Sequence, residues 1–260
     1  MHPKVGIILV ILMVTGVWST IVQAIRPEDD QQAREMGRLT YERACVWCHG
    51  AEGKGDGPSG WFIGRYSAPR PRDFTRESYK FRSTPSGELP TDQDLFRTIT
   101  QGIPGYMPSF HSLTEDERWQ VISYVKSFNS AFKEEMSPPI PLPFPPHAPS
   151  DAAIENGRKL YQQFGCQVCH GENGVGDGPE SRAGHLRDAQ NLRISATNLS
   201  DRSALKNGAG PQDLYRSIMT GLDGTPMPSY GNQFAEREQE AWDLVWYLLS
   251  LSENPRRWLH

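Results

Sequence analysis

Basic residues are not in excess in this chain of 260 residues: 27 Lys and Arg stand against 31 Asp and Glu, a formal charge of −4. Nucleic-acid binding needs a clustered basic surface, so that class of partner is excluded. Cysteine is scarce, at four residues, and the spacing of the four carries more information than their number. No βαβ pattern surrounds them. Long apolar runs are confined to the N-terminus, where a short stretch bearing Lys4 precedes the apolar residues 5–18 and the small or polar residues 19–24. That is the layout of a secretory signal with cleavage after Ala24. The rival reading is an uncleaved membrane anchor, since residues 5–22 approach the length that crosses a bilayer. Gly16, Ser19 and Thr20 weaken a spanning helix, and Val22-x-Ala24 suits a signal peptidase. Both readings export the rest of the chain.

What the chain does contain is one unit written twice. Cys45-Val46-Trp47-Cys48-His49-Gly50 returns as Cys166-Gln167-Val168-Cys169-His170-Gly171, and Gly53, Gly55, Asp56, Gly57 and Pro58 return as Gly174, Gly176, Asp177, Gly178 and Pro179. Asp94-Leu95-Phe96-Arg97 answers Asp213-Leu214-Tyr215-Arg216, and Met107-Pro108-Ser109-Phe110 answers Met227-Pro228-Ser229-Tyr230. Trp119 and Tyr124 then answer Trp242 and Tyr247. Between the copies, residues 137–150 carry seven prolines, which favour an extended, semi-rigid spacer compatible with docked or separated domains. The division expected is a signal or anchor over 1–24, a first domain over 25–136, the linker over 137–150 and a second domain over 151–260.

Periodicity predicts an all-α protein. Helices are expected over 33–48 and 152–169, each running into a cysteine motif. Another follows the capping box Thr114-x-x-Glu117, with Trp119, Ile122, Val125 and Phe128 at helical spacing; Trp242, Val245, Trp246 and Leu249 match it in the second half. Residues 50–90 show no period and are expected to be loop. The paired aromatics are expected to pack each terminal helix against the first helix.

On a helix, residues three and four apart share a face. The thiols of C-x-x-C-H therefore point together, where both can add across the vinyl groups of one haem, and the adjacent histidine is held against the iron. Cys45 and Cys48 would tether one haem with His49 as proximal ligand; Cys166, Cys169 and His170 would serve a second. A thioredoxin-like pair, a zinc site or disulfides would leave the histidine after both pairs unexplained. Met107 and Met227 occupy equivalent places, and the proline after each biases it toward an extended conformation, as a loop over the iron requires. A thioether ligand raises the potential. Met36, Met136 and Met219 lack such counterparts, and so do the fallback ligands His111 and His185. Arg97 and Arg216 are equivalent, and either contact haem propionates or are simply solvated. The glycine phrases lack the ending of a phosphate-binding loop and are read as turns passing close to the haem edge.

Each half resembles a class I cytochrome c domain: C-x-x-C-H-G near an N-terminal helix, a downstream Met-Pro, and a C-terminal helix with aromatics. The resemblance covers about residues 33–252 apart from the linker. It implies two tandem helical domains in which first and last helices cross, two haem c groups, and ligation by His49/Met107 and His170/Met227. With no open iron position, the expected role is a periplasmic electron carrier between respiratory partner proteins, soluble or tethered to the inner membrane, rather than an enzyme. The alternatives are a dihaem enzyme or an anchored electron-transfer subunit of a larger oxidoreductase complex. A dihaem peroxidase needs one haem that opens, whereas both halves keep Met-Pro-Ser. Sulfur-compound dehydrogenases of this layout often use a distal cysteine, and all four cysteines here are committed to attachment.

Overall fold

In each half, two long helices cross at a glycine because only a residue without a Cβ lets their backbones touch. The computed structural model describes residues 29–60, 70–76, 78–134 and 137–252; the expected signal or anchor over 1–24 lies outside them. The first half contains α1 (Gln31–Ala44), α2 (Val46–His49), α3 (Asp92–Gln101) and α4 (Glu115–Lys126). The second contains α5 (Asp151–Gln163), α6 (Cys166–His170), α7 (Pro179–Ala183), α8 (Pro211–Thr220) and α9 (Glu238–Ser250). Among the described residues there are isolated β-bridges but no strands, as the periodicity predicts.

Local chemistry starts these helices. The Asp30 side chain accepts from Ala33 N at 2.7 Å, and that of Ser150 from Ala153 N at 3.2 Å, satisfying donors that a helix start leaves unpaired. The capping box at α4 forms as expected: Thr114 Oγ1 accepts from Glu117 N at 3.2 Å and Glu117 Oε2 accepts from Thr114 N at 2.9 Å. α1 then crosses α4, and α5 crosses α9. A Cβ on Gly37 would overlap the Gln120 carbonyl, and one on Gly157 the Asp243 carbonyl. The Tyr41 and Tyr124 rings meet edge-on at 5.2 Å and the Tyr161 and Tyr247 rings at 5.3 Å, joining first to last helix as expected. The tryptophans differ from expectation. Trp119 stacks on Phe96 of α3 at 4.2 Å and Trp242 on Tyr215 of α8 at 4.6 Å, so they tie the last helix to the middle one.

Two expected helices are interrupted just before the motif. Cys45 breaks the first for a single residue, and Gly165, in the left-handed region at φ 71°, ends the second, as glycine does at helix termini. The short motif helix can thus turn away from the long one. The stretch after the second motif is also not all loop, because Pro179 at the first turn starts α7.

The halves are fastened together. The Arg82 side chain is fully buried, and its guanidinium donates to Tyr79 O at 3.0 Å, Pro85 O at 3.0 Å and, across the junction, Thr220 O at 2.7 Å. It also pairs with Asp223 at 2.9 Å, whose carboxylate accepts from Ser86 Oγ at 2.7 Å and Gly87 N at 2.8 Å. The proline-rich segment lies on both halves: Ile140 N donates to Ser83 O at 2.7 Å, and Leu142 packs on the second core.

Candidate functional site

The motif histidines sit at the ends of α2 and α6, where the sequence places them, and each is oriented by a backbone carbonyl. His49 Nδ1 lies 3.2 Å from Arg72 O, and His170 Nδ1 lies 2.9 Å from Thr197 O. A carbonyl only accepts, so Nδ1 carries the proton and the Nε2 lone pair is left for a metal. Burial favours the neutral ring: it lowers the His49 pKa to about 4 and moves that of His170 in the same direction. The Phe74 ring stacks on His49 at 4.4 Å and fixes its plane.

The glycine phrases fold back onto the motif. Gly55 N donates to His49 O at 2.9 Å and Gly57 N to Cys48 O at 3.2 Å, while Gly176 N donates to His170 O at 2.8 Å and Gly178 N to Cys169 O at 3.1 Å. They cap the carbonyls at the end of each short helix. Behind them, the Tyr41 and Tyr161 hydroxyls donate to Gly50 O and Gly171 O at 2.7 Å each, fixing the motif against the long helix.

The Met-Pro-Ser loops are anchored the same way in both halves. Ser109 Oγ donates to Thr100 O and Ser229 Oγ to Met219 O, each at 2.6 Å. Phe110 N donates to Ile99 O at 3.1 Å and Tyr230 N to Ile218 O at 3.0 Å. The serine thus holds the methionine loop to the last turn of the middle helix.

In the second half these pieces enclose one cavity of about 220 Å³. Cys166, Cys169 and His170 line it together with Met227, and Leu199, Leu214, Leu244 and Leu248 are among its apolar walls. Two thiols, an imidazole with its Nε2 free and a thioether around one apolar chamber fit a covalently attached haem. Cys45 and Cys166 are not poised as nucleophiles, since burial raises the pKa of each thiol to about 11. Among the described residues no cluster of His, Cys, Asp and Glu could hold a bare metal ion, and the four cysteines are not disulfide-bonded.

The two equivalent arginines are each engaged by protein groups. Arg216 pairs with Asp213 at 2.8 Å. Arg97 reaches across the junction to Asn207 Oδ1 at 3.1 Å and approaches Asp213 at 3.9 Å. Arg216 does not line the second-half cavity, and Arg97 meets the second half at Asn207 and Asp213. His185 pairs with Glu180 at 3.0 Å on the surface, and His111 lies exposed beside Ser109 Oγ at 2.8 Å. Sequence reasoning missed the orienting carbonyls of Arg72 and Thr197, because a backbone acceptor has no residue-type signature. It missed Arg82 and Asp223 because they are not repeated between the halves.

Comparison with known proteins agrees with this arrangement. Residues 154–252 match the family Cytochrome c, and residues 32–125 match the family Cytochrome C oxidase, cbb3-type, subunit III. A solved chain of the Kuenenia stuttgartiensis reducing HAO-like protein complex is 39% identical, with a TM-score of 0.77, over 84% of this chain and 96% of that one. No curated protein matches. Paired family matches over paired motifs, with a like-folded relative spanning both halves, place the chain in the cytochrome c family as a dihaem cytochrome c with two tandem domains and two covalently bound haem c groups.

Proposed function

We propose that this protein is a periplasmic electron carrier whose two haems are both closed to substrates. Cys45 and Cys48 attach the first haem, with His49 and Met107 as axial ligands; Cys166, Cys169, His170 and Met227 serve the second. One-electron exchange at the iron is the chemistry that the haem supplies. The chain's part is to hold the imidazole ring, anchor the thioether loop and exclude water from the chamber. The observation that carries this reading is that His170 and Met227 line one cavity with both thiols, while the first half repeats the histidine-orienting and serine-anchoring bonds. Carbon monoxide added to the reduced protein, in which the thioether–iron bond is strong, tests it: both haem spectra should stay unchanged. Binding at either haem would turn the reading toward catalysis, such as a peroxidase.

A second reading is favoured by one observation, that the relative sharing 39% identity is a chain of a protein complex. On this reading the protein is a stably held electron-transfer subunit of a larger oxidoreductase rather than a free shuttle. The native size of the protein as purified from its source separates the two: a lone chain means a shuttle, whereas a larger assembly means a held subunit.

A further inference from the structure

The cavity in the second half carries charge of one sign only. Two formally charged side chains line it, Lys80 and Lys206, and no carboxylate does. Lys80 comes from the first half, so the second chamber is completed by its neighbour. Lys206 lies across the junction from Tyr106, with its ammonium 4.8 Å from that ring's centre. Burial lowers the pKa of Lys80 to about 8 and also lowers that of Lys206; at Lys80 repulsion from Arg72 and Lys206 adds to burial, with Asp188, outside the cavity lining, opposing it. Like charges gathered in a half-buried place are unfavourable unless an anion completes the site. A c-type haem brings two carboxylates on the edge opposite its thioether bonds.

We propose that Lys80 and Lys206 bind the propionate carboxylates of the haem in the second half, so that its anionic edge faces the junction and the first half helps set its potential. This rests on the reading that the haem of Cys166 and Cys169 fills this cavity.

The test is an optical redox titration of the mature full-length protein and its Lys80→Met, Lys206→Met and Lys80→Arg variants. A neutralised lysine favours the oxidised iron. In each methionine variant the equilibrium constant for reducing one haem should therefore fall about three- to tenfold, tenfold being about 59 mV for one electron. Lys80→Arg should restore the parent value. Unchanged potentials in both methionine variants would overturn the proposal, as would a Lys80→Arg shift as large as that of Lys80→Met, which would mean packing rather than charge. Failure of the underlying reading would look different: the parent protein itself would lack a second haem or its thioether-ligated spectrum.

Discussion

The Arg82–Asp223 pair offers a sharp test of how the halves are joined. The Arg82 side chain is fully buried and that of Asp223 is 13% exposed, with the charges 2.9 Å apart. Burial is the first cause lowering the Arg82 pKa, with Asp223 opposing it, so the ion is costly without its partner. Two unit charges about 4 Å apart at an effective dielectric of about 20 interact by about 4 kcal/mol. Removing one member of a buried pair costs about 3–5 kcal/mol in general. Arg82→Met and Asp223→Ala should each destabilise the protein by about 3 kcal/mol. The double variant should cost little more than either single one, a coupling of about 2–3 kcal/mol. Guanidinium unfolding of the four haem-loaded proteins, followed by haem absorbance, measures the cycle. Additive losses, with a coupling below about 0.5 kcal/mol as for exposed ion pairs, would refute the claim that this contact locks the junction. Asp223 lies in the loop leading to Met227 and shares the Arg82 Nη2 with Thr220 O. Loss of the pair should therefore also weaken the sulfur–iron absorption of one haem only.

Three further outcomes follow from the packing. Gly157→Val should cost about 3 kcal/mol or prevent maturation of the second half, because its side chain meets the Asp243 backbone; thermal unfolding checks this, and a neutral result would contradict the observed helix crossing. Tyr161→Phe should lower stability by about 1 kcal/mol by removing the buried hydroxyl's bond to Gly171 O, which keeps only its bond from Gly174 N, measurable as a shift in denaturant midpoint. Ser229→Ala should cost about 1 kcal/mol by freeing the Met227 loop from Met219 O, and should speed imidazole entry at that haem in a stopped-flow assay.

The repeated motifs made much of this molecule legible. Cysteines, histidines and Met-Pro-Ser recur at matched places, so the two haem c groups and the helical class could be read directly, and the capping box at Thr114 marked its helix to the residue. The tryptophans were harder: period alone shows that Trp119 and Trp242 face inward, and both the first and the middle helix lie on that side. The junction was the least legible part. Its residues, Arg82, Lys80, Asp223 and Lys206, have meaning only once two halves are placed side by side, and a comparison of repeats discards whatever the repeats do not share. Arg97 and Arg216 show the converse, since they match in sequence yet one spans the junction and the other stays within its own half.

The most direct measurement is the mass of the mature, unfolded chain together with a redox titration read optically. Two haems should remain attached after denaturation, and both should titrate in the folded protein with spectra of imidazole and thioether ligation. A colourless chain, thiols holding zinc, or an iron with an open sixth position would contradict the assignment of two closed electron-carrying sites.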